Sequence, residues 1–229
     1  MGIYKRYGRK RRRRPALTLF LWVLAALVLA FLLRRFLPRK YYTAQQLGIP
    51  ELHSAVDYDG DGLDDYADIM RGARDYIATK PHYGSRYYAG GYPDDGLGVC
   101  TDVIWQAFRA AGYELKDLVD ADITAHRDAY PFIEYQDGNI DFRRVNTLNT
   151  FFSRHATPLT VSFDHPEEWQ AGDIVIFGQC SHIAICSDKR DKNGIPWIIH
   201  HGNPIDDAVE RMDIYQQEVT HHYRWGPVF

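Results

Sequence analysis

Gly98-Val99-Cys100-Thr101-Asp102-Val103-Ile104-Trp105-Gln106-Ala107-Phe108 sets a thiol directly before an apolar run. Val103, Ile104, Ala107, Phe108 and Ala111 recur at helical spacing and Gly112 ends the run, which predicts a helix starting at Cys100. Gly96 and Gly98 allow a sharp turn into it. A cysteine there meets unpaired N–H groups and the positive end of the helix dipole, and both favour the nucleophilic thiolate. With a histidine in reach this is the arrangement of a cysteine hydrolase. Without one it is a buried structural thiol.

The histidines come from the carboxy-terminal third. Ile174 to Phe177, His182 to Ser187 and Trp197 to His200 read as strands separated by turns, and Val219 to Trp225 reads as a fourth that closes the sheet. His182 opens one strand and His200 ends its antiparallel neighbour, so both stand near one rim. Alternation puts His182, Ala184 and Cys186 on one face, the face expected to receive the Cys100 helix, and turns His201 to the other. A catalytic set follows: Cys100 attacking, His182 as general base, His200 orienting and polarising it. Cys180 stands near His182 in sequence, and a reversible Cys100–Cys180 disulfide is weighed against two free thiols. Three cysteines rule out a disulfide scaffold.

Upstream, Asp57-Tyr58-Asp59-Gly60-Asp61-Gly62-Leu63-Asp64-Asp65-Tyr66-Ala67-Asp68 spaces hard oxygens as a calcium loop does. Asp57, Asp59, Asp61, Asp65 and Asp68 supply side-chain ligands, the Leu63 carbonyl a sixth, and Gly62 the turn. Ca²⁺ is therefore expected here in a structural role. The alternative is an Asp/Gly turn that caps the next helix, expected from Asp65 to Ala78 with Ile69, Ala73, Tyr76 and Ile77 inward. Between that helix and Cys100, Tyr83 to Pro93 is a tyrosine- and glycine-rich loop, and Tyr88 and Tyr92 are candidates for substrate contact. Further helices are expected from Glu114 to about Arg127 and from Asn146 to His155, with His126 and His155 on the surface.

Charge divides the chain. Residues 1–40 carry 12 Lys and Arg and no acid, whereas residues 41–229 carry 15 basic and 30 acidic residues. So acidic a body suits cations and disfavours nucleic acid. Ala16 to Leu33 is an uncharged run of 18 residues, about 27 Å as a helix, enough with Phe36 and Leu37 to span a bilayer. Leu-Leu-Arg-Arg follows it, which argues against a cleaved signal peptide. Eight basic residues before the span and four after it place the amino terminus in the cytoplasm and the remainder outside. The organisation expected is a basic cytoplasmic tail (1–15), a transmembrane anchor (16–37), a juxtamembrane linker (38–56), the acidic loop (57–68) and a catalytic domain (65–229).

Gly98 to Val103, Asn139 to Val145, Trp169 to Val175, His182 to Ile185 and His222 to Arg224 resemble the bacterial YijF-like domain of unknown function, over about residues 65–229. That family is in turn similar to the NlpC-like, papain-related cell-wall peptidases, in which a cysteine begins a helix, a histidine opens a strand and a third polar residue lies on the next strand. Cys100, His182 and His200 fall on those positions. The resemblance implies an α+β, papain-like (NlpC-type) fold in which the nucleophile helix packs on a small antiparallel sheet behind a single transmembrane helix. It implies cleavage of an amide bond, with cell-wall peptides as the substrate class and no cofactor for catalysis. The cysteine's surroundings here, Val-Cys-Thr-Asp, differ from the Asp-Cys-Ser-Gly of those peptidases, so their substrate preference does not carry over. Thioester or acyl-transfer chemistry with the same residues is an alternative, and a non-catalytic, calcium-dependent wall-binding module is another.

Overall fold

The computed structural model describes residues 15–36, 40–202 and 208–226. The chain divides into two units, Met1–Lys40 and Tyr41–Phe229. The first contains helix α1 (Pro15–Phe36). Leu19, Phe20, Trp22 and Leu27 are all exposed on it, and residues 19–30 offer no polar face. Among the described residues, no helix is long and apolar enough to cross a membrane. Residues 1–14 of the expected basic tail, and residues 37–39 at the anchor–linker junction, lie outside the described residues.

The second unit is a mixed α/β domain built on a small antiparallel sheet. In chain order its elements are α2 (Ala44–Leu47), α3 (Asp65–Ala78), β1 (His82–Tyr83), β2 (Leu97–Gly98), α4 (Cys100–Ala110), α5 (Leu115–Ala125), α6 (Val145–His155), β3 (Ala156–Pro158), β4 (Ile174–Phe177), β5 (His182–Arg190), β6 (Pro196–His201), β7 (Ala208–Arg211) and β8 (Val219–Trp225). Six strands pair in the order β3-β8-β4-β5-β6-β7, every pair antiparallel. β1 and β2 form a separate short parallel pair.

Both faces of the sheet are buried, and alternation divides the core in two. Ile174, Ile176, Ile183, Ile185, Ile199, Tyr223 and Trp225 face α3, α4 and α6 with Ile69, Val103, Ile104 and Phe108. Val175, Phe177, Ala184, Cys186 and Ile198 line the opposite face with Trp169, Ile195 and Ile214. α3 lies against α4, and a Cβ at Gly72 would stand 2.4 Å from that of Ala110, so a glycine is what lets the two backbones approach.

The expected linker is corrected from Tyr41 onward. Tyr42 pairs with Arg190 beside β5, Ala44 is buried, and Gln170 joins the Leu52 N–H and the Pro50 carbonyl. This segment belongs to the folded domain.

Candidate functional site

α4 begins at Cys100, as its apolar spacing predicts, with Val99 as the residue before it. The turn is fixed by Asp102. Its Oδ2 accepts the Val99 N–H at 2.7 Å, and its Oδ1 accepts the Trp105 indole N–H at 2.7 Å. Both oxygens also accept the Arg143 guanidinium, at 2.7 and 2.9 Å. The side chains of Asp102 and Arg143 are each 1% exposed. Arg143 reaches on to the Arg86 carbonyl, while Thr101 Oγ1 donates to the Arg143 carbonyl. A fully paired buried ion pair thus holds the helix start in register with the preceding loop.

The expected thiolate is corrected. Burial pushes the Cys100 thiol up to about 11, although the Ile183, Thr101 and Cys100 N–H groups act in the opposite direction. Desolvation outweighs the helix terminus, so the group rests protonated at neutral pH.

His182 and His200 are brought together. His182 Nε2 lies 2.9 Å from His200 Nδ1, and His200 Nε2 lies 3.3 Å from Asp213 Oδ2. Asp213, which the sequence did not single out, is buried and also accepts Gln216 Nε2 at 2.9 Å. An ionised carboxylate only accepts, so His200 donates from Nε2 and accepts at Nδ1. His182 then donates from Nε2, which leaves its Nδ1 as the basic nitrogen. Burial, with His200 beside it, lowers the His182 pKa to about 3 even though Asp213 opposes the shift, and the ring is neutral at pH 7.

The expected face is also corrected. Ala184 and Cys186 sit in the core opposite α4, whereas Ile183 and Ile185 pack towards it. His182, the first residue of β5, stands at the end of the sheet beside Phe177, ring centroids 5.7 Å apart. Cys100 packs on the helical side, where its thiol meets the Ile183 N–H, one peptide from His182. Among the described residues no hydrogen bond joins Cys100 to His182. A depression of about 60 Å³ opens on His182, His200 and Asp213, lined also by Gln216 and Gln217. A larger cavity, about 440 Å³, runs along Tyr76, Trp105 and Arg109 and includes neither Cys100 nor the histidines. His201, expected on the face away from the Cys100 helix, lies instead on the helical side, with Nδ1 3.4 Å from the Tyr76 hydroxyl of α3.

Tyr88 and Tyr92, the candidates for substrate contact, both have partners within the domain. Tyr88 is buried, donates to Asp95 at 2.9 Å and lies beneath the Arg143 guanidinium. Tyr92 packs on Trp105 and Phe142 and donates to Glu114 at 3.0 Å. His126 and His155, expected as plain surface residues, both lie 2.9 Å from the buried Asp122 carboxylate. Cys100, Cys180 and Cys186 are free thiols.

In the acidic loop, oxygens of Asp57, Asp59 and Asp61 all lie within 4.8 Å of one another and are exposed. Leu63 donates its N–H to Asp61 Oδ1 at 2.9 Å. Asp65 is drawn out of the expected set, because its two oxygens accept the Tyr58 N–H at 3.0 Å and the Tyr113 hydroxyl at 2.6 Å. The helix-capping alternative holds too, but through Asp64, which accepts the Tyr66 N–H at 3.1 Å. Asp68 is buried. That burial, together with the charges of Asp61 and Asp59, raises its pKa to about 6.

Residues 70–225 match the family described as Domain of unknown function (DUF1287), and the chain belongs to that family. Within it, the chain is 35% identical over 167 residues to the uncharacterized protein YijF of Escherichia coli (strain K12), covering 69% of this chain and 80% of that protein. No solved structure matches.

Proposed function

We propose that this protein is a membrane-anchored, extracytoplasmic cysteine hydrolase of papain-like (NlpC-type) architecture that cleaves an amide bond. The observation that carries the reading is the His182–His200–Asp213 chain, whose first residue is followed by Ile183, the residue whose N–H meets the thiol of a cysteine at a helix start. Cys100 attacks the substrate carbonyl as its S–H proton passes to His182 Nδ1. The imidazolium so formed shares its charge through His200 with Asp213. The Cys100 N–H at the start of α4 helps hold the oxyanion. His182 returns the proton to the leaving amine, and water then hydrolyses the thioester with His182 again as base. A neutral thiol beside a neutral imidazole suits this general-base route better than a preformed ion pair.

The choice of cell-wall stem peptides rests on likeness to NlpC-like peptidases and is an argument by analogy. The exposed apolar helix α1 between basic flanks supports the anchor. Stem-peptide cleavage by the wild type, lost in Cys100→Ala, tests the reading. The raised thiol pKa and the missing Cys100–His182 hydrogen bond favour a second one, a non-catalytic wall-binding module. Thiol labelling does not separate the two, since both predict slow alkylation at neutral pH. Product analysis does.

A further inference from the structure

β7 sends its side chains to both faces of the sheet, and its register decides where each goes. Glu210 stands opposite Ile199 and Arg211 opposite Ile198. Glu210 turns to α3, where Arg74 Nη2 reaches its Oε1 at 2.6 Å. Arg211 turns to the other face, the one that carries His200. The chain then folds back, because the Asp213 N–H donates to the Arg211 carbonyl at 2.9 Å. That turn sets Arg211 Nε 2.9 Å from Asp213 Oδ2, with the two side chains 26% and 4% exposed. The same oxygen lies 3.3 Å from His200 Nε2. One buried carboxylate oxygen thus stands between a fixed cation and the histidine pair.

We propose that Arg211 is a positioning residue that pairs with Asp213 and thereby keeps His182 and His200 neutral until a proton reaches His182. The inference rests on the reading of His182 as the proton acceptor for Cys100. Asp213 acts on His182 towards a higher pKa, against burial, His200 and His201. A guanidinium beside that carboxylate offsets part of its pull. Unpaired, Asp213 would draw a proton onto the rings at a higher pH, and a protonated His182 cannot take one from the thiol. Paired, it still orients His200 and leaves His182 Nδ1 open. Among the described residues, the other charged or titratable group acting on the pair is His201 of β6, while Gln216 and Gln217 are neutral.

The test is an imidazole ¹⁵N titration of the full chain in detergent, from pH 8 to 4, on the wild type, Arg211→Gln and Arg211→Lys. His182 in Arg211→Gln should take up its proton at least about one pH unit above the wild type. Arg211→Lys keeps the charge and should recover most of that difference. Loss of an edge-strand contact lowers a melting temperature without moving this midpoint. An unchanged midpoint in Arg211→Gln, or an equal upward shift in Arg211→Lys, overturns the proposal. The wild type offers a check that needs no Arg211 variant. Its Arg211 Nε–H proton should exchange slowly with water and lose that protection in Asp213→Asn, and equal exchange in the two proteins also overturns the proposal. None of these readouts requires a substrate. With stem peptides, the acid limb of kcat/KM in Arg211→Gln should rise with the midpoint, whereas absence of turnover in every protein counts against hydrolysis and leaves the pairing standing.

Discussion

His182 Nε2 and His200 Nδ1 lie 2.9 Å apart, and one proton serves that contact. Which ring owns it is decided two residues away in the chain of contacts, at Asp213, 3.3 Å from His200 Nε2. Because the carboxylate fixes the tautomer of His200, it also fixes which nitrogen of His182 is basic.

Replacing Asp213 by Asn removes that constraint, since an amide donates as readily as it accepts. Asp213→Asn should lower turnover by about 10²-fold or more, with the fold retained. Imidazole ¹⁵N shifts should show His182 losing its single tautomer. Unchanged shifts with unchanged activity would remove Asp213 from the relay.

The His182 pKa has a signed consequence for stability. Folded, the ring titrates at about 3, against about 6.5 for an unperturbed histidine. Between those values the unfolded chain binds a proton that the folded chain does not. His182 therefore imposes no penalty above about pH 6.5, and stability falls as pH is lowered through the window, by up to about 1.4 kcal/mol per pH unit. Urea midpoints from pH 7 to 4 should decline more steeply in the wild type than in His182→Gln. Equal slopes would mean that the ring is not buried neutral. For the same reason, acidification from pH 7 to 5 should not protonate the proposed base.

Arg143→Ala leaves Asp102 buried with its guanidinium partner removed. Breaking one partner of such a pair costs about 3–5 kcal/mol, read as a lower urea midpoint. Arg143→Lys should recover only part of it, because one ammonium cannot replace the fork that reaches both Asp102 oxygens and the Arg86 carbonyl. A loss under 1 kcal/mol in Arg143→Ala would show that the pair does not anchor the start of α4.

The parts legible in sequence are those with a period or a hard stop. The 3.6-residue spacing after Cys100 gave α4 its start, and the apolar runs at Ile174, His182 and Trp197 gave the central strands. β3 and β7 are short edge strands without that signal, and β7 follows residues 203–207, which are not described. Pairing His182 with His200 was readable because both have even positions on strands in antiparallel register. Asp213 was not, because it lies outside any strand and reaches His200 only through tertiary folding. The direction of the Cys100 shift was misread for a physical reason. A helix terminus is visible in sequence, whereas desolvation of the sulfur depends on packing against β5. The contacts of Tyr88 and Tyr92 with Arg143, Trp105 and Phe142 were not readable either, since those residues are distant in sequence or on another element.

The most direct measurement is mass spectrometry of cell-wall stem peptides incubated at neutral pH with the full chain and with its Cys100→Ala variant. A cysteine hydrolase predicts a cleaved amide, with a mass gain of one water across the two products, formed by the wild type and absent from the variant. Identical product profiles from the two proteins would contradict it.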